Sequence, residues 1–421
     1  MATTSGSAVF FAAVALALAL LAAPVRAQET PSIADGGATV EFPAGVTFTV
    51  SAESSVEITD IRLRYTVLPD GTAAIGQPEF DPSTSVEATF ELAGNNPPQI
   101  YLSPGTRIEY HWEVSDAEGN QATSEIASVF YDDTRFDWQT VSGSNITIYY
   151  YSGSDHEAEA MHDVAREAVS SMSSLLDTEV EFETLIWIYD NTDDMRPALQ
   201  ARSETYESQV ITAGVRVASD TVLVLGNDAF DTLRHELTHI VTAQAGESAF
   251  GTLPAWVDEG TAVYSQEDAG GFRSAIEDAI DRGEVFSVRE ISSYPGDPDK
   301  VNLFYGQSWS LVSYLIDEYG EEQFAQLFAE VKSGSRIESA LEAVYGFGQD
   351  GLEDEWRAAK GLPPRPTNAP DGPDPQDDPQ PLPSEDDGGS STLLVIGLAV
   401  GVIALAAVVG IGGIWAARKA P

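Results

Sequence analysis

Between about Ala38 and Tyr131, apolar and polar positions alternate with period two, in short runs broken by Gly, Pro, Asn and Asp. The runs Gly45 to Val50, Ile61 to Val67, Val86 to Leu92 and Arg107 to Val114 are rich in Val, Thr, Phe and Tyr, as half-buried strands require. With turn signals at Pro69-Asp70-Gly71 and Glu118-Gly119-Asn120, the pattern predicts an antiparallel β-sandwich of immunoglobulin or fibronectin type over residues 28–135. His111 falls inside this alternation and reads as a structural strand residue.

After Phe136-Asp137-Trp138 the period changes. A strand over 145–151 leads into 155–176, where Met161, Val164, Ala165, Ala168 and Met172 recur with helical spacing. His156 and His162, six positions apart on that helix, do not share a face and read as surface residues. Further strands are expected over 183–189, 209–215 and 221–225, with a short helix over 196–203. The strands before 226 predict a small sheet whose edge flanks a cleft, an edge to which a peptide can add as an extra strand. From 254 to about 360 the spacing predicts helices near 254–268, 272–282, 304–319, 321–332, 336–344 and 351–359. Residues 361–391 are rich in Pro, Asp, Gly and Ser, which supply no core and predict a disordered acidic stalk.

The two ends carry long apolar runs. Ala8 to Ala23, followed by Val25-Arg26-Ala27, reads as a signal peptide over 1–27. Leu393 to Trp415 is free of charge and long enough for a membrane-crossing helix, so 392–416 is expected to be a transmembrane segment. Arg418 and Lys419 follow it, which predicts a cytoplasmic tail over 417–421 and an extracellular or periplasmic bulk. Gly397 and Gly401 form a G-x-x-x-G pair in that run, a weak signal for dimerisation.

The formal charge of −46 repels nucleic acid and anionic lipid, which excludes a nucleic-acid-binding role. With no cysteine there are no disulfides and no thiolate ligands. Any zinc site must therefore be built from His and carboxylate.

Two of the five histidines stand in His235-Glu236-Leu237-Thr238-His239, an H-E-x-x-H sequence. On a helix, His235 and His239 sit one turn apart on one face and can grip a single Zn²⁺, with Glu236 placed as general base and acid. The helix has its punctuation: Asn227-Asp228 as N-cap, Asp231 in the first turn, an apolar stripe at Leu233, Leu237, Ile240 and Val241, and Gly246 as a stop. A catalytic zinc needs a third protein ligand, and Glu259 lies 20 positions after His239, room for a loop and a returning helix opened by Pro254. Gly260 beside it costs helix stability unless something must approach closely.

His235-Glu236-x-x-His239 followed by Trp256-Val257-Asp258-Glu259-Gly260 resembles the gluzincin metallopeptidases, especially the bacterial peptidase MA-like group. The similarity covers about 137–360 and includes Tyr305-Gly306-Gln307-Ser308-Trp309. It implies a zincin-like catalytic domain over 136–360, with a small mixed sheet, an active-site helix and a mainly helical C-terminal half. By the same resemblance His235, His239 and Glu259 are the metal ligands, Glu236 is the general base and acid, and Tyr305, or less readily Tyr264, is a donor to the oxyanion. One position departs from it: Val263 stands where many gluzincins carry an Asp that orients a ligand histidine, so that support must come from Asp258 or a backbone carbonyl.

The expected fold class is thus α+β, with a β-sandwich, a zincin-like domain and one transmembrane helix. The expected function is that of a membrane-anchored extracellular zinc metallopeptidase acting on peptide or protein substrates through a zinc-activated water, with one catalytic Zn²⁺. Two other readings stay open: a non-enzymatic surface binding protein with an inert zincin-like domain, and a purely structural zinc site with four protein ligands.

Overall fold

The computed structural model describes residues 30–69, 71–93, 101–200, 212–365 and 404–406. They divide into two compact units. The first is built on 45–92 and 107–130 with the N-terminal strand, and the second on 131 onward together with 42–44 and 93–106.

In the first unit, β1 (Ser32–Glu41), β2 (Gly45–Leu68), β3 (Thr72–Gly76), β4 (Ser83–Ala93), β5 (Thr106–Asp116), β6 (Gln121–Thr123) and β7 (Ala127–Tyr131) form one seven-stranded sheet. The two runs expected at 45–50 and 61–67 belong to a single strand of 24 residues. Its first half pairs with β1 from Gly45 to Glu53's partner Ser32, and its second half pairs with β3 and β5. Phe48 on the first half nevertheless packs edge-on against Tyr110 of β5, with ring centroids 4.8 Å apart. Strand β2 therefore folds back over its own sheet, and alternate residues Phe48, Ile61, Leu63, Ile108 and Trp112 fill the interior between.

The second unit carries a mixed sheet in the order β13-β11-β12-β10-β9-β8. Strands β8 (Gln139–Gly143) and β9 (Ile146–Tyr150) precede helix α1 (Asp155–Leu175), and β10 (Thr184–Tyr189), β11 (Thr212–Arg216) and β12 (Thr221–Leu225) follow it. Strand β10 lies parallel to both β9 and β12, and every one of its residues is buried. A central parallel strand covered on both faces reads as an unbroken apolar run, which is what Leu185 to Tyr189 is. Helix α1 starts at a capping box, Ser154 accepting from the Glu157 backbone while Glu157 accepts in return.

Further helices are α2 (Phe230–Gly246), α3 (Ala255–Tyr264), α4 (Gly270–Arg282), α5 (Val301–Tyr319), α6 (Glu321–Lys332), α7 (Ile337–Tyr345) and α8 (Gln349–Ala359). Ile148, Ile186, Ile188, Val222 and Val224 of the sheet pack against Met161 and Ala165 of α1 and against Leu233, Leu237 and Ile240 of α2. The other side of α2 and α3 packs into a helical core with Phe304, Leu311, Leu315, Phe324, Phe328 and Trp356. Helix α2 is thus held between two apolar layers, which explains why almost none of it reaches solvent.

The expected membrane span at 392–416 is corrected. Among the described residues no helix is long and apolar enough to cross a membrane. The part of the run that is described, β13 (Ala404–Ala406), is a strand paired antiparallel with β11, Thr212 facing Ala406 and Val215 facing Ala404. The physical reason lies in composition: a run of Val, Ile, Ala and Gly is apolar without being committed to a helix. The transmembrane helix in the expected fold class, and the single-pass membrane location built on it, fall with it. The expected signal peptide, residues 366–391 of the expected stalk, Gly397, Gly401 and the tail lie outside the described residues.

Candidate metal centre

Helix α2 puts His235 and His239 one turn apart on one face, both without exposed surface. Its N-terminus differs from expectation: the helix opens at Phe230 after Ala229, with no side-chain cap. The Asn227 carboxamide donates instead to the Ser152 carbonyl at 3.3 Å, and Asp231 accepts from the Glu267 backbone at 2.9 Å. Tertiary partners have taken the groups that local sequence assigns to the cap.

The chain returns through 247–254, and Pro254 opens α3, which carries Glu259 into the interior opposite α2. A Cβ on Gly260 would stand 2.4 Å from the Ser308 carbonyl oxygen and 2.7 Å from Val312 Cγ2. The glycine therefore lets α3 and α5 meet backbone to backbone. That close crossing brings Tyr305 of α5 to the same place as Glu259.

Nε2 of His235 lies 3.1 Å from Oε2 of Glu259, and Nε2 of His239 lies 3.6 Å from the same oxygen. One ligand atom from each of the three residues falls within 4.8 Å of the others, all three residues being buried. The other oxygen of Glu259, Oε1, accepts from the Tyr294 hydroxyl at 2.5 Å and from Tyr305 at 3.4 Å. The carboxylate thus turns one oxygen to the histidines and the other to two hydroxyls.

Behind each imidazole stands a polar partner. Gln266 places its carboxamide 3.2 Å from Nδ1 of His235, and a half-turn of that amide presents oxygen rather than nitrogen to a protonated Nδ1. Nδ1 of His239 lies 3.0 Å from Asp258 Oδ1, an ion-pair distance, and Thr242 one turn farther along α2 donates to the same oxygen at 2.5 Å. Asp258 supplies the carboxylate that the resemblance puts at position 263, where Val263 is part of the helical core. Glu236 is held by strand β11: the Arg216 backbone N–H donates to its Oε2 at 3.0 Å, while the Arg216 guanidinium donates to the His239 carbonyl at 2.7 Å. Arg216 therefore fastens β11 to α2 at both ends of the motif.

Burial and charge set the proton affinities. Burial raises Glu236 to about 8, with the charge of Glu259 adding to it. Burial alone would lower His239, but Asp258 and Glu259 outweigh it and hold the imidazole at about 9. Asp258 is correspondingly drawn down to about 2, burial being overcome by His239. His235 is lowered by burial, and the Tyr294 hydroxyl is pushed well above its ordinary value by burial and then by Glu259.

Of the residues singled out from sequence, His235, Glu236, His239, Glu259 and Tyr305 converge here. Tyr264 sits at the end of α3 with Asp317 and Glu321 as its charged neighbours. His111 lies on β5 and His162 approaches the Gly143 carbonyl at 3.1 Å, outside the cluster. Sequence reasoning missed Tyr294, Gln266, Thr242 and Arg216. Thr242 lies on the motif's own helix, one turn past His239, whereas Tyr294, Gln266 and Arg216 each arrive from another part of the chain and no spacing rule connects them to the motif.

In comparison with known proteins, residues 164–360 match the model of the Peptidase MA superfamily. No curated protein matches the chain. Among solved structures, an M1 zinc metallopeptidase variant from Deinococcus radiodurans shares 11% identity over 80% of this chain and 95% of its own, with a TM-score of 0.36. An aminopeptidase N family protein from Idiomarina loihiensis shares 9% identity over 80% of this chain and 74% of its own, with a TM-score of 0.32. A carbohydrate-binding module family 56 β-1,3-glucan binding domain shares 18% identity over 23% of this chain and 98% of its own, with a TM-score of 0.16. The segment that holds the His235, His239 and Glu259 cluster is similar to the Peptidase MA superfamily, which supports a gluzincin-like fold.

Proposed function

We propose that this chain is a zinc-dependent metallopeptidase in which His235, His239 and Glu259 hold one Zn²⁺. A single observation carries the reading. Two imidazole nitrogens and a carboxylate oxygen meet within 4.8 Å in the interior, beside two buried polar atoms that have no hydrogen-bond partner, His239 Nε2 and Glu236 Oε1. Buried polar atoms are nearly always partnered, and two imidazoles with one carboxylate are the donor set of a catalytic zinc with an open position. The residues present therefore fit the ion. Bound there, zinc supplies a polarised carbonyl and a water that ionises near neutral pH.

The chain's own residues supply the rest. With Oε2 of Glu236 held by the Arg216 backbone, Oε1 is the atom left to take a proton and later return it to the leaving amine. Tyr305, its ring stacked on Phe272 at 5.0 Å, offers a hydroxyl donor to the developing oxyanion.

Metal analysis and hydrolysis of unstructured peptides by the full chain test the reading. Wild type is expected to carry zinc and cleave. Glu236→Gln is expected to keep the zinc and lose about 10²- to 10⁴-fold in rate. A metal-free wild type, or hydrolysis indifferent to the substitution, sinks the proposal; zinc with four protein ligands and no hydrolysis is the mark of a structural site.

A further inference from the structure

Tyr294 lies in the irregular stretch between the single turns Glu290–Ser292 and Pro298–Lys300. It is 47% exposed, yet its hydroxyl reaches Oε1 of Glu259, a residue with no exposed surface. One side chain thus spans from the protein surface to the buried cluster. Its ring is fixed against Phe304, centroids 5.3 Å apart, so the hydroxyl is aimed rather than free to wander.

The consequence concerns how Glu259 presents itself. A carboxylate can offer a cation one oxygen or both, and only Oε2 of Glu259 faces the histidines, at 3.1 and 3.6 Å. Oε1 is turned away and accepts from Tyr294 at 2.5 Å, with Tyr305 a longer second donor at 3.4 Å. If Tyr294 is removed, Oε1 loses its shorter hydrogen bond in a buried setting, where an underpartnered charged oxygen is costly, and the carboxylate is no longer held with Oε2 toward the histidines.

We propose that Tyr294 is a positioning residue for Glu259: its hydroxyl occupies Oε1, so that Oε2 alone is presented to the metal and a coordination position stays open for water. The assignment rests on the zinc reading above and deepens it. Tyr294 acts through Glu259, and its effect is therefore read on the metal rather than on turnover alone.

The experiment measures zinc affinity of the full chain by chelator competition, and the absorption spectrum of the cobalt-substituted protein, for wild type, Tyr294→Phe, Tyr294→Leu and Tyr305→Phe. Loss of the Tyr294 hydroxyl is expected to weaken zinc binding by about 10- to 100-fold and to shift the cobalt bands, with a smaller loss for Tyr305→Phe. Phe keeps the ring contact with Phe304, so the metal-free Tyr294→Phe protein is expected to stay folded with a smaller fall in melting temperature than Leu, which lacks the ring as well; Leu is expected to reproduce the affinity loss. Affinity within twofold of wild type in both Tyr294 variants, with unchanged cobalt bands, overturns the assignment and leaves the metallopeptidase reading standing. A wild type that binds no zinc overturns both.

Discussion

Asp116 illustrates how much a single carboxylate can organise. Its Oδ1 accepts from the backbone N–H groups of Glu118 and Asn120, and its Oδ2 from Ser54 and the Asn120 side chain. Burial pushes the group upward, but the hydrogen bonds led by Asn120 outweigh it and leave it below its ordinary value of 3.8. A carboxylate depressed on folding stabilises fully above its unfolded value and ceases to do so as pH falls through the folded one. Unfolding of wild type and Asp116→Asn should therefore differ most above pH 3.8 and converge below it. Denaturant melts followed across pH 2 to 6 check this; a constant difference refutes it. The same chemistry at Asp258, with His239 and Thr242 as partners, is turned from turn-building to orienting an imidazole.

At the level of elements, the decisive contact is the crossing of α3 and α5. A methyl at residue 260 has no space, since the Ser308 carbonyl group and Val312 already stand within 2.7 Å of its place. Gly260→Ala should raise intrinsic helix propensity and still destabilise the unit, by about 1–3 kcal/mol from overpacking. It should also weaken zinc binding, because separating the helices moves Tyr305 away from Glu259. Chemical denaturation with parallel zinc titration checks both; a stabilised variant with native affinity would show that the helices do not meet as described. The glycine was visible in the sequence as a helix position paying for something. What it paid for was the backbone of α5, 48 residues later.

For the molecule as a whole, the two units have separate cores, and the three-residue cluster lies entirely in the second. Two-state unfolding is a property of single domains, so calorimetry of the full chain should resolve two transitions. If zinc binds the His235, His239 and Glu259 cluster as proposed, it stabilises only the folded second unit, and at a hundredfold excess over its dissociation constant it adds about 2.7 kcal/mol. Chelation should accordingly lower one transition and leave the other unmoved. If both shift together, either the cores are coupled or the metal lies elsewhere. The apolar run at 393–415 marks the limit of composition at this scale: hydropathy reports that a segment avoids water, and whether it does so as a helix or a strand depends on what it pairs with.

What the sequence by itself determined is what local chemistry controls. The period-two runs of the first unit, the helical spacing from 155 onward and the placing of two imidazoles on one helix face all depend on neighbours a few positions apart, and these were legible. Glu259 was legible because a returning helix needs little more than a loop's length. The partners of the cluster were decided by tertiary structure: Arg216 comes from strand β11, Gln266 from beyond α3, Tyr294 from an irregular stretch, and Asp258 takes a task the resemblance assigns to position 263. Hydrogen bonds and close crossings between distant elements leave no period in a sequence, since nothing in the intervening residues has to repeat to make them.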